Sequence, residues 1–173
     1  MAPRRRLLFA LLAASVTAGC GKPAAPPGPP PRPERIDRAL ADAAHYLRDR
    51  QDPDGAWRSD TYGAFKDGAS LTPLVLDALL AIDAGDLDPA GHQGCAYLAG
   101  LIRPDGTLDA GPLGPSYPGY TAALSVIALS DPRCAAPREA RNRWLAFLRR
   151  RQFTEALGWR PGDAEYGGWG FGA

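Results

Sequence analysis

The chain has 173 residues, of which 45% are hydrophobic and 23% charged, with 20 Lys and Arg against 19 Asp and Glu and three cysteines. That length accommodates one domain with a core of its own and is too short for two of ordinary size. A formal net charge of +1 argues against the basic patch and high isoelectric point by which proteins hold nucleic-acid phosphates, so no nucleic-acid partner is expected.

Residues 1–19 read as an export signal. Arg4, Arg5 and Arg6 precede an apolar stretch from Leu7 to Ala18, which is shorter than the roughly 20 residues a membrane-spanning helix needs. The ending Val16-Thr17-Ala18-Gly19-Cys20 resembles the lipobox of bacterial lipoproteins. The resemblance implies that Cys20 becomes the lipidated first residue and that the membrane is a partner through this anchor. It also places the domain outside the cytoplasm, at the cell surface or in the periplasm. Loss of residues 1–19 removes three arginines and no acid, which takes the formal charge from +1 to −2. Residues 20–33 are proline-rich and without large apolar side chains, so they favour extended polyproline conformations and are expected to act as a disordered spacer.

From residue 34 to 173 the sequence repeats. Tyr46-Leu47, Tyr97-Leu98 and Phe147-Leu148 are aromatic-leucine pairs spaced by 51 and then 50 residues, and Asp54-Gly55 recurs as Asp105-Gly106. A period of this length indicates a helical array. The first helix is predicted to place Ile36, Leu40, Ala43 and Leu47 on one buried face. The segment Pro73 to Ala84 carries only Asp77 and Asp83 as charges, and is predicted as an inner helix enclosed on all sides. Pro89 to Ile102 is mixed, Thr121 to Ser130 is apolar all round, and Pro137 to Gln152 is amphipathic with Trp144, Leu145, Phe147 and Leu148 as its apolar side. The predicted order is outer, inner, outer, inner, outer. Thr72-Pro73 and Asp88-Pro89 read as helix starts, with a capping oxygen followed by proline at the first helical position.

The first copy, with Tyr46, Leu47, Gln51, Gly55 and Trp57, resembles the QW repeat of the terpenoid cyclase and protein prenyltransferase superfamily, as found in squalene-hopene cyclases. The second copy retains Tyr97, Leu98 and Gly106, with Ile102 for Gln and Leu108 for Trp. The third is aligned as Phe147, Leu148, Gln152, Gly158 and Trp159, with two residues inserted before the glycine. Glu165 to Phe171 resembles the glycine and aromatic stretch that precedes inner helices in such proteins. The resemblance implies an all-α fold, an incomplete α/α toroid of about two and a half helix-pair repeats, in which the motif is a structural clasp. It further implies an open C-terminal repeat edge, suited to a protein partner or to self-association.

Catalytic motifs of that superfamily are missing from the sequence. There is no Asp-x-Asp-Asp acid cluster and no Asp-x-Cys zinc pair. Asp86 and Asp88 read as a turn and helix cap, and His92 with Cys95 supplies only two of the four ligands that zinc requires. No catalytic residue, metal or cofactor is expected. If the helix starting at Pro89 runs antiparallel to the one ending at Ser130, Cys95 and Cys134 meet and can form a disulfide in an oxidising compartment. Aromatic side chains including Trp57, Tyr62, Phe65, Tyr117, Tyr120, Trp159, Tyr166 and Trp169 fall in the turns between helices with Asp60, Asp67, Asp105 and Glu165; they are expected to serve packing at the repeat seams, and any ligand would bind at this end. The leading expectation is a non-catalytic, membrane-tethered repeat domain that binds a partner chain or hydrophobic ligand. The alternative is a fragment of a terpenoid cyclase or prenyltransferase-like enzyme whose acid cluster lies outside this chain.

Overall fold

The computed structural model describes residues 33–82, 85–111 and 114–170. The expected signal, Cys20 and its lipid, and residues 20–32 of the spacer lie outside the described residues. Pro33, expected as the last spacer residue, is instead the first residue of a helix.

The described residues form five α-helices: α1 (Pro33–Arg48), α2 (Thr72–Ile82), α3 (Pro89–Leu101), α4 (Pro118–Ala128) and α5 (Arg138–Arg150). Single 3-10 turns occur at Gly63–Phe65 and Glu155–Leu157. No strand is present among these residues, and the only extended pairing is an isolated bridge between Ile102 and Leu108. None of the described helices is long and apolar enough to cross a membrane.

Helix α2 packs on α1, α3 and α4, while α4 also packs on α5, and α3 touches α5. The core lies between these helices. Leu76, Leu98, Ile102, Trp144 and Phe147 form its main part, and Ala44, Trp57, Val75 and Leu79 form a smaller part under α1. Two fully buried hydroxyls tie α4 to the turn before α2: Ser70 Oγ and Thr121 Oγ1 are 2.9 Å apart and exactly one repeat of 51 residues from each other. Cys95 of α3 and Cys134, just beyond α4, are joined by a disulfide, with their Cα atoms 5.8 Å apart.

Three expectations are corrected here. Helix α1 does not bury its Ile36, Leu40 and Ala43, of which the first two are 52% and 44% exposed; it meets α2 through Ala44 and Leu47. The inner helices are not enclosed on all sides, since Leu74 of α2 and Ile127 of α4 are exposed. Both lie on the side of their helices that no described element covers. Thr72 does not cap α2 but sits inside it, because its hydroxyl accepts the backbone N–H of Trp57 at 2.9 Å. Asp88, by contrast, caps α3 by accepting the Gly91 N–H at 2.8 Å, and its other oxygen takes the Nε–H of Arg48.

The disulfide closes a loop across a sequence separation of 39, which in the chain-entropy treatment contributes about 4 kcal/mol. Replacing both cysteines by serine is expected to lower the urea midpoint of the full chain markedly, as measured by circular dichroism at 222 nm. An unchanged midpoint would show that the bond constrains nothing.

Candidate functional site

The last four carbonyls of an α-helix have no partner within it. In each repeat, the leucine of the aromatic-leucine pair lies in the last turn of its helix, and its carbonyl receives an indole N–H. Leu47 O accepts from Trp57 Nε1 at 2.7 Å, Leu98 O from Trp144 Nε1 at 2.9 Å and Leu148 O from Trp169 Nε1 at 2.8 Å. A glycine in the following turn adopts positive φ, at 87° for Gly55, 80° for Gly106 and 82° for Gly167. Each glycine carbonyl also receives a side-chain donor: Gln51 at 3.0 Å, Arg150 at 3.2 Å and Gln152 at 2.8 Å, respectively. Gln51 reaches a second acceptor, Ala90 O of α3, at 2.8 Å. Its one amide thus fastens its own turn to the next repeat.

This geometry revises the third copy of the motif. Its glycine and tryptophan are Gly167 and Trp169, not Gly158 and Trp159. The Gly-x-Trp spacing of residues 55–57 recurs at 167–169, and the segment before Gly167 is a local excursion rather than a two-residue insertion. Within that excursion Gly158 closes the 3-10 turn at φ 84°, and Trp159 stacks on Phe153 with ring centroids 4.6 Å apart. Phe153 rejoins the clasp by exchanging backbone bonds with Gly167 and Gly168. In the second copy, sequence reasoning missed Trp144 and Arg150, because both donors come from α5, one repeat further on.

The other motif residues support the clasp. Leu98 is fully buried and Phe147 nearly so, with the Arg151 guanidinium 4.2 Å from the Phe147 ring centre. Tyr46 is exposed on α1, beneath the guanidinium of Arg50. The Tyr97 hydroxyl donates to Asp67 O at 3.2 Å. Burial pushes the Tyr97 phenol up to about 12, against the opposing pull of the Arg58 charge.

Beside Tyr97 lies an open cleft of about 700 Å³, lined by Asp54, Arg58, Lys66, Asp67, Asp109 and Ser116 among others. Two of its charges, Arg58 and Asp54, pair with each other, and Asp109 pairs with Arg103. Arg58 donates to Asp52 at 2.8 Å and to both oxygens of Asp54 at 2.9 and 2.6 Å, which holds the Asp54 carboxyl below its ordinary range and raises the guanidinium. Arg103 lies 2.9 Å from Asp109. The Asp67 carboxylate accepts the Ala69 N–H at 2.8 Å. Asp105 accepts both the N–H and the hydroxyl of Thr107, which lowers its pKa. These carboxylates shape turns rather than converge on a shared point.

Of the expected aromatic cluster, Trp57 and Trp169 are committed to clasps, Phe65 packs near Tyr117 at 6.2 Å and Tyr62 is exposed. Tyr166 donates to Glu155 at 2.8 Å within the excursion. Cys95 is bonded to Cys134 and therefore offers no thiolate to a metal beside His92. Among the described residues, no group of three His, Cys, Asp or Glu side chains is placed to hold a metal ion. Comparison with known proteins gave no matching family model, no similar curated protein and no similar solved structure. What the site shows by itself is therefore a thrice-built clasp of indole and side-chain donors, with an adjoining polar cleft.

Two outcomes test this geometry. Gln51→Ala leaves the Gly55 and Ala90 carbonyls without that donor and is expected to cost about 1–3 kcal/mol, read from chemical denaturation of the full chain. Because the Tyr97 phenol holds its proton longer when folded, its contribution is complete below pH 10 and is lost as pH rises towards about 12. Tyr97→Phe should flatten that part of the alkaline decline in stability; a decline of unchanged steepness would exclude Tyr97 as its source.

Proposed function

We propose that this chain is an extracytoplasmic, lipid-anchored helical-repeat domain of the terpenoid cyclase and protein prenyltransferase toroid type, which performs no reaction of its own. It binds a partner chain or a hydrophobic ligand through the helix faces that no described element covers. The observation that carries the repeat reading is the recurrence of the clasp: a leucine carbonyl, a left-handed glycine, an indole donor and a second side-chain donor, at spacings set by the repeat. That is the role expected of QW-type residues, which fasten repeats together.

Two further observations support the rest of the proposal. The Cys95–Cys134 disulfide fits an oxidising compartment, where such bonds persist. The exposed Ile36, Leu40, Leu74 and Ile127 supply apolar surface of the kind that marks an interaction site. The carboxylates of the polar cleft are engaged in turns and ion pairs, which favours a framework role over acid catalysis.

The anchor is tested in a bacterial host given an alkyne-bearing fatty acid. The wild-type chain should take up the label and sediment with membranes, and Cys20→Ser should lose the label and move to the soluble fraction. A chain that is never labelled, or that keeps its label without Cys20, would refute the lipoprotein reading.

A further inference from the structure

Helices α1, α3 and α5 are equivalent in the repeat, yet they are not equally covered. In α3, the positions Ala90, Gln93, Gly94 and Tyr97 all face the preceding repeat. Ala90 O takes the Gln51 amide, the Gln93 backbone lies against Gly55, and Gly94 lies so close to the Trp57 ring that an added Cβ would come within 2.9 Å of it. Tyr97 bonds Asp67 O. In α5 the same positions hold Ala140, Arg143, Trp144 and Phe147, of which Arg143 is half-buried and the other three are buried, and Trp144 bonds the Leu98 carbonyl of the preceding repeat.

In α1 these positions are Ala39, Asp42, Ala43 and Tyr46, and every one of them is exposed, whereas of the four in α3 only Gln93 is. The mirror-image deficit lies at the third clasp. Trp57 is 2% exposed because α3 covers it, whereas Trp169, in the same role, is 44% exposed. Gln51 bridges to the next repeat, whereas among the described residues the Gln152 amide has only Gly167 as acceptor.

Side-chain size also matches across each seam. The Trp57 indole, carried by a turn, meets Gly94 on the following helix. Where the turn carries Leu108 instead, the following helix carries the indole as Trp144. Each of the two seams therefore holds one indole, supplied by the turn in the first and by the helix in the second. The third turn carries an indole, Trp169, as the first does, and Ala43 stands on α1 where Gly94 stands on α3.

We propose that the chain associates head to tail with a second copy of itself, Trp169 of one copy seating on the Ala43 and Tyr46 face of α1 in the next. The contact continues the seam that the chain builds twice internally. It is a heterologous contact, in which two different surfaces meet, so that copies join into a ring or an open chain rather than a two-fold pair. The inference rests on the partner-binding reading above and names the partner.

The test uses full chains carrying two different epitope tags, co-expressed in cells, with Tyr46 of one replaced by the photoreactive analogue p-benzoylphenylalanine. On irradiation the expected product is a dimer bearing both tags, with the cross-link mapped to residues 153–170 of the second copy. Ala43→Arg in the photoreactive chain should reduce that product about tenfold or more, as removal of a central interface contact does. Since Ala43 is exposed, this variant should fold, which an intact Cys95–Cys134 bond in peptide mapping verifies. Trp169→Ala in the acceptor copy should have the same effect. Absence of a cross-link, a cross-link to α1 of the other copy, or one only to a different protein would overturn the proposal. Failure here with Cys20 still lipidated leaves the anchor intact, while loss of lipidation with the cross-link retained overturns the anchor alone.

Discussion

Helices α1, α3 and α5 must each end, and an ended helix leaves carbonyls that the core cannot leave bare. The bond from an indole N–H to the leucine carbonyl in that last turn is the constraint from which the remaining arrangement follows. It brings a large flat side chain to the seam between repeats, where the same ring that satisfies the backbone also fills space. The positive-φ glycine is the local requirement, since it lets the chain reverse tightly enough to bring the donor back over the helix. At Gly55 the requirement is doubled, because a Cβ there would lie 2.5 Å from the Gln93 carbonyl oxygen.

The second repeat shows that the bond matters more than the residue that supplies it. Leu108 cannot donate, and the indole comes from Trp144 on the opposite side of the seam. Arg150 likewise stands in for the amide that Ile102 cannot provide. The two substitutions convert a clasp made within one repeat into one made between repeats, and so tie α5 to α3 and to the turn after it. Other polar fastenings work in the same sense. Arg133 reaches the Leu80 carbonyl at the end of α2 at 2.8 Å while holding Asp131, and Asp88 joins its own helix start to Arg48 of α1.

Much of the fold was legible from spacing. Five helices were readable from apolar periodicity and from the proline and aspartate that begin α3, because those signals are local and the helices obey them. Exposure was less legible. Ile36 and Leu40 fall on the same stripe as Leu47, and periodicity treats them alike; only the placement of α2 shows that it reaches Ala44 and Leu47 and stops short of the rest. The third clasp was misaligned for a related reason. Gly158-Trp159 is nearer to Gln152 in sequence, and nothing local reveals that the excursion through Glu155–Leu157 returns the chain to Gly167 and Trp169.

By itself, then, the amino-acid order determined the all-helical character, the repeat and the residues of the first clasp, since each depends on contacts within a few turns of chain. The three-dimensional arrangement decided which indole serves which carbonyl in the second and third clasps and which equivalent helix face stays bare. Those outcomes depend on groups far apart in the chain, 46 residues in the second clasp and 21 in the third, and a carbonyl accepts a donor from any segment that packing delivers to it. Hydrogen-bond chemistry specifies the kind of partner, and packing chooses the one that arrives.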